Sequence, residues 1–472
     1  MDFKNKKVLV FGFGILGGGL ATANWLLKQG AKLTITDLKN KEQLANSLSN
    51  IEGQIELRLG GHSKKDIDDN EIIVLNPDVP IRSEFVQYAL TQGKELTNEA
   101  LIFFSEFKKP IVAITGTRGK TTTTAWTSYL LGSKFKSSIA GNSTTHPYLK
   151  VLDTKNDLDI ASVELPSFLL ELFDYSKVSP HIAIITNIHQ EHLNRHQTME
   201  EYSRVKVNIF KNQTSSDSLI LNYDNNWTKS MLQQNPRAKI LFFSSKPLPA
   251  GTAGVWCDGN QVYFQRAGGS EAVLVLDDSV LARGEHNVQN LLPASLASHL
   301  AGCSWLEIQS RLNSLPEIPF RQEIVFQDEK LTIVNDTTAT SPDGAIQALK
   351  RFGGSETVLI TGGTDRNLDF TEWADMLPKI IQPGNIIFLA GSATDKVRSA
   401  LGDVGGQITT HETLDECFRV ALKKASQYEK SVILFSPASK SFEKFKNEFD
   451  RGEQFNELVK KYVNQPTSIK GV

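Results

Sequence analysis

Cysteine is scarce in this 472-residue chain: Cys257, Cys303 and Cys417 are widely separated and form no CxxC pair. An odd, scattered set argues against a disulfide framework and for inert thiols in a reducing compartment. Neither sign of charge dominates, because 51 Lys and Arg face 53 Asp and Glu for a formal net charge of −2. There is thus no basic excess for nucleic acid and no acidic tail for a solvated arm. No apolar run approaches the roughly 20 residues that span a bilayer. The polar start, Met1 to Lys6, also lacks the apolar core of a signal peptide. Internal repeats and low-complexity tracts are missing too. A cytoplasmic monomer is expected, with no nucleic-acid or membrane partner.

What is present is an ordinary globular composition, 40% hydrophobic, over a length that suits about three domains of ~150 residues. Residues 8–11 read as a buried strand, 20–28 as a helix ended by Gly30, and 32–36 as a second strand. Such βαβ alternation predicts a doubly wound parallel sheet. Further strands are expected at 71–75 and 111–115, then at 159–163, 181–187, 218–222 and 239–243. The Gly-rich stretch 247–278 predicts a small antiparallel patch, with strands at 261–265 and 272–276. A helix is expected over 287–301, and residues 316–319 hold the prolines of a linker. Strands at 331–335, 357–361, 385–390 and 431–435 then repeat the alternation. The expected fold class is α/β in three domains: Rossmann-like over 1–108, a P-loop ATPase type over 109–316, and Rossmann-like over 317–472.

Two loops point to phosphate. Gly116-Thr117-Arg118-Gly119-Lys120-Thr121 follows a strand and precedes a helical run from Thr122. Backbone N–H groups there can cradle phosphates, Lys120 can neutralise them, and the Thr121 hydroxyl can bind magnesium. The first glycine of the longer motif is replaced by Ile114. The second loop, Gly12-Phe13-Gly14-Ile15-Leu16-Gly17, is followed by Asp37 at the end of the next strand. That spacing suits a dinucleotide, but the same turn receives any nucleotide diphosphate, or serves as a tight turn alone. Between the two loops, Glu164 and His192 each follow a strand, where open α/β sheets place their chemistry; together they are candidate magnesium ligands. Lys206 reads as an ordinary surface lysine.

In order along the chain, these motifs resemble the Mur ligases of peptidoglycan synthesis, most closely the branch that adds glutamate to UDP-N-acetylmuramoyl-L-alanine. The resemblance takes in both loops, Glu164-Leu165-Pro166-Ser167-Phe168, the 187–196 segment and Lys206. It continues through Arg283 to Asn290, Arg321-Gln322-Glu323, Asn335 to Thr340, and Leu434 to Gly452. It implies that ATP phosphorylates a carboxylate and an amine then displaces phosphate. Gly116, Thr117, Arg118, Gly119, Lys120, Thr121 and Thr122 would hold ATP, with Asn287, Asn290, Arg321 and Asp336. Lys120, Glu164, His192 and Lys206 would be catalytic. Two Mg2+ ions would use Thr121, Glu164, His192 and Lys206, the last as a carbamate. Gly14, Ile15, Leu16, Asp37 and Asn142 would meet the UDP substrate, and Arg366, Ser441 and Phe442 the glutamate.

Several positions depart from the family pattern. Pro166 replaces serine, Glu191 and Asn194 replace aspartates, Phe320 replaces histidine and Thr338 replaces lysine. Arg118 stands for the usual P-loop asparagine, and Arg366 for a lysine. Three alternatives stay open at this point: the same chemistry with L-glutamate, a non-catalytic nucleotide-binding relative, and a dehydrogenase resting on the first loop alone.

Overall fold

The computed structural model describes residues 1–15, 17–141, 146–365 and 367–463. Leu16, Asn142 and Arg366, all expected at substrate contacts, lie outside the described residues. The chain forms two compact units, one of 1–281 with 285–316 and the other of 282–284 with 317–472.

The first unit carries two sheets. β1 (Lys7–Phe11), β2 (Lys32–Asp37), β3 (Ile55–Leu59), β4 (Ile72–Leu75) and β5 (Glu95–Thr97) form an all-parallel sheet in the order β3-β2-β1-β4-β5. β1 and β4 are wholly apolar or nearly so because both faces are covered. The second sheet contains β6 (Ile111–Thr115), β7 (Ser137–Ala140), β8 (Ile160–Glu164), β9 (Ile182–Ile185), β10 (Ser218–Asn222) and β11 (Lys239–Ser244). β12 (Gly254–Asp258), β13 (Gln261–Arg266) and β14 (Gly269–Val275) complete it. The order is β14-β13-β12-β11-β10-β9-β6-β8-β7. The antiparallel patch is therefore no separate layer: β12 pairs parallel with β11, and β13 and β14 extend the same sheet antiparallel.

A buried ion pair ties the two sheets of this unit. Arg195 donates from Nε and Nη2 to the Glu171 carboxylate at 2.8 and 2.7 Å. It also donates to the carbonyls of Pro77 and Val79, in the loop after β4, at 2.7 and 3.0 Å. Glu171 in turn accepts from the Ile81 N–H at 3.3 Å. Removing one partner strands a buried charge, which costs more than the pair contributes. Arg195→Ala should therefore destabilise the unit by about 3–5 kcal/mol. An unchanged denaturant midpoint would show that water, not Arg195, satisfies Glu171.

The second unit holds β15 (Glu323–Gln327), β16 (Leu331–Asn335), β17 (Thr357–Thr361), β18 (Ile386–Leu389), β19 (Thr409–His411) and β20 (Ser431–Phe435). Their order is β15-β16-β20-β17-β18-β19, parallel except at β15. Apolar clusters on both faces cover the central strands. All three cysteines are buried and free, and no helix among the described residues is long and apolar enough to cross a membrane.

Candidate active site

β6 runs between β8 and β9, so Glu164, the loop after Thr115 and the segment after Ile185 emerge side by side at one sheet edge. The loop turns on two glycines with positive φ, Gly116 at 148° and Gly119 at 78°. Gly119 caps the helix Lys120–Leu131 without any side-chain cap, leaving the helix N-terminus open to an anion. The segment after β9 clasps the loop. Thr117 N–H donates to the Asn187 carbonyl at 2.9 Å, and Arg118 N–H to the Asn187 side-chain oxygen at 2.9 Å. Thr186 Oγ1 donates to the Arg118 carbonyl at 2.6 Å. Lys120 folds its ammonium onto the Thr117 carbonyl at 2.8 Å.

Thr121 is half-buried and Thr122 buried, both in the first turn of that helix. Alongside runs the helix Glu285–Leu300, where Asn290 Nδ2 donates to Asn287 Oδ1 at 3.2 Å. Asn290 sits against the loop: a Cβ on Gly119 would stand 2.1 Å from its Oδ1.

Lys206 is the least expected member. It lies on the helix Met199–Val207, is 1% exposed, and donates to the Gly116 carbonyl at 2.8 Å. Its ammonium also sits 4.7 Å over the Tyr202 ring, one helical turn back. Burial, and then the charge of Lys120, push its pKa well below the ordinary lysine value. Tyr202 hydrogen-bonds Thr117 Oγ1 at 3.2 Å. Thr186, Asn187 and Tyr202 thus build the site although only Asn187 fell inside a recognised motif; the i, i+4 spacing of Tyr202 and Lys206 was the available signal.

Glu164 is half-buried at the end of β8. His192, exposed and left-handed at φ 56°, precedes the short helix Leu193–His196, with its ring 6.2 Å from Tyr202 and 3.9 Å from the Glu191 carboxylate. Among the described residues no three His, Cys, Asp or Glu side chains converge as a metal site. The expected set contains one carboxylate and one imidazole. It suits a hard cation that completes its shell with phosphate and water oxygens, not an all-protein cage.

In the first sheet, Asp37 is 4% exposed and faces its own loop. Its Oδ2 accepts from Phe13 and Gly14 N–H at 2.7 and 2.8 Å, and its Oδ1 from Lys39 N–H at 2.8 Å. Burial alone would raise its pKa, but the donors from Gly14, Lys39 and Phe13 outweigh that and hold it below the usual carboxylate range. Both oxygens already carry backbone donors, so Asp37 shapes the turn. Ile15, at the loop tip, is 57% exposed.

In the second unit, Arg321 is exposed and Asp336 buried. Asp336 accepts from Ser436 Oγ at 2.7 Å and Gln322 N–H at 3.1 Å, and burial raises its pKa to about 7. At the two departures, Thr338 Oγ1 donates to the Phe320 backbone carbonyl at 2.7 Å, and the Phe320 ring packs by Phe449. A Cβ on Gly452 would stand 2.5 Å from that ring. Ser441 Oγ is buried without a hydrogen-bond partner, and Phe442 is 47% exposed.

A strand–P-loop–helix at the carboxyl ends of parallel strands, with a buried amine on its first glycine, defines an α/β protein of the nucleoside-triphosphate-binding class. Residues 114–298 match the family model of the Mur ligase middle domain, and residues 6–98 that of the Mur ligase MurD-like N-terminal domain. The chain belongs to the Mur ligase family. It is 34% identical to the UDP-N-acetylmuramoylalanine–D-glutamate ligase of Roseiflexus sp. (strain RS-1), over 98% of this chain and 100% of that one. It is 32% identical to the ligase of the same name from Desulfitobacterium hafniense (strain DSM 10664 / DCB-2), over 99% and 100%. Among solved structures it is similar in fold to MurF from Acinetobacter baumannii, with a TM-score of 0.59 at 17% identity over 98% of this chain and 92% of that one. UDP-N-acetylmuramate-alanine ligase MurC from Thermotoga maritima gives 0.58 at 19% identity, over 97% and 100%.

Proposed function

We propose that this chain is an ATP- and magnesium-dependent ligase that joins D-glutamate to UDP-N-acetylmuramoyl-L-alanine in peptidoglycan precursor synthesis. The observation that carries the reading is the buried Lys206 amine on the Gly116 carbonyl, in a chain that aligns end to end with relatives of that name. Residues 1–108 bind the UDP substrate, with Gly14, Ile15, Leu16, Asp37 and Asn142 as contacts, Asp37 also holding the turn. Residues 109–316 bind ATP, and residues 317–472 bind glutamate.

A carboxylate has no usable leaving group, so its oxygen first attacks the γ-phosphorus, giving an acyl phosphate and releasing ADP. The neutral amine of glutamate then attacks the acyl carbon. The tetrahedral intermediate expels phosphate, and the amine proton passes to solvent or base. The protein contributes position and charge. The 116–122 loop aligns the triphosphate, and Lys120 leaves the Thr117 carbonyl to meet the transferring oxygens. Asn287 and Asn290 hold the adenine side, while Arg321 and Asp336 contact ATP. Thr121, Glu164, His192 and Lys206 would hold Mg2+, which supplies charge neutralisation of the phosphoryl group.

Lys206 serves as a carbamate. A neutral amine adds to CO2 with loss of one proton, and burial favours the neutral form of this amine. The change also turns repulsion from Lys120 into attraction. Arg366, Ser441 and Phe442 receive glutamate, and the buried unpartnered Ser441 hydroxyl suits that role. Substrates linked to nucleotides and driven by ATP put the reaction in the cytoplasm.

The test is phosphate release from MgATP with UDP-N-acetylmuramoyl-L-alanine and D-glutamate, L-glutamate or no amino acid. Release that depends on D-glutamate is expected. Preference for L-glutamate would change the product, and no release with either would overturn the ligase reading.

A further inference from the structure

Where the family motif has lysine, position 338 is threonine, and its hydroxyl is committed to the Phe320 carbonyl. This segment therefore presents no cation at 338. A different loop does. Lys440 follows β20, and its ammonium donates to the Thr340 hydroxyl, two residues beyond Thr338, at 3.0 Å. Its backbone is fixed on both sides: the N–H donates to the Thr364 carbonyl at 3.2 Å, and the carbonyl accepts from Thr364 N–H at 2.9 Å and Arg451 Nη1 at 3.1 Å. Thr364 stands two residues before Arg366 in sequence.

Lys440 is half-buried, and among the described residues its ammonium has a neutral hydroxyl as its one hydrogen-bond partner. A partly desolvated cation with two donors to spare calls for an anion. The next residue, Ser441, is 2% exposed with a hydroxyl that meets no partner. A carboxylate has two oxygens, and it can accept from the ammonium and the hydroxyl together.

We infer that Lys440 is a specificity-determining residue that, with Ser441, receives the side-chain carboxylate of the acceptor amino acid, supplying from 440 the charge missing at 338. The inference rests on the ligase reading. Lys440→Ala should raise KM for D-glutamate by about 30-fold, the loss of one charge-assisted hydrogen bond. KM for ATP should stay as it is. Discrimination between D-glutamate and D-glutamine as acceptors should collapse by a similar factor, and Lys440→Arg should restore most of both. A purely structural role would lower kcat for both acceptors alike and leave their ratio untouched, which would overturn the inference. So would an unaltered KM in a variant that turns over. Absence of wild-type turnover with either enantiomer of glutamate is a separate result, and it would overturn the ligase reading along with this one.

Discussion

Lys206→Ala should reduce ligation by roughly a thousandfold or more, the scale on which a fixed charge at a reacting phosphoryl or acyl group acts. Nucleotide should still bind, because the loop's own contacts to Asn187 and Thr186 do not pass through the lysine. The alanine variant leaves a space at the Gly116 carbonyl the size of the lost side chain. Acetate or another short carboxylic acid should enter it and return part of the activity, replacing the carbamate's two oxygens. Lys206→Met separates this from packing: it fills the same space with an apolar chain, so it should be as inactive as the alanine variant and deaf to acetate. Phosphate release read with and without the acid checks both. Full turnover by the alanine variant without additive would sink the carbamate assignment.

Lys206 also marks the limit of what the sequence discloses. Strands buried on both faces announce themselves: 111–115, 218–222, 331–335, 357–361 and 431–435 were expected at the bounds the structure has. Those missed were mostly sheet edges, namely β3, β5, β7, β15 and β19. An edge strand is covered on fewer sides, so it carries no long apolar run; β3 and β15 hold no fully buried residue at all. β12 was lost inside the glycine-rich stretch around Gly251 and Gly254. The P-loop was legible because glycine, lysine and threonine must stand at fixed spacing to cradle phosphate. Lys206, marked only by the family resemblance, and Lys440 were not legible from their own spacing, because a lysine earns its role from what surrounds it in space, and those neighbours come from strands and loops far off in sequence. Asp37 shows a further limit: its place after β2 was legible, but the hydrogen bonds its oxygens accept from Phe13, Gly14 and Lys39 were not.

Gly116→Ala should severely damage nucleotide binding. Gly116 has a φ of 148°, a region that L side chains rarely adopt. The added Cβ would stand 1.9 Å from Thr186 Oγ1 and 3.1 Å from the Asn187 backbone nitrogen. Thr186 cannot simply rotate away, because that hydroxyl holds the Arg118 carbonyl at 2.6 Å. Relief therefore moves either the loop or the segment after β9, and the two are joined through Thr117 and Arg118. The same shift displaces the Gly116 carbonyl that receives the Lys206 amine. Affinity for ATP should fall by at least a hundredfold, about 3 kcal/mol, and ligation should fall further because the amine loses its place. Thr186→Ser keeps the hydroxyl and should be nearly silent alone. Combining Thr186→Gly with Gly116→Ala removes the clash but leaves the backbone strain and the lost loop contact, so it should recover only part of the affinity. Titration calorimetry with ATP on the three variants reads each outcome, and wild-type affinity in Gly116→Ala would mean that the loop does not hold the triphosphate through this turn.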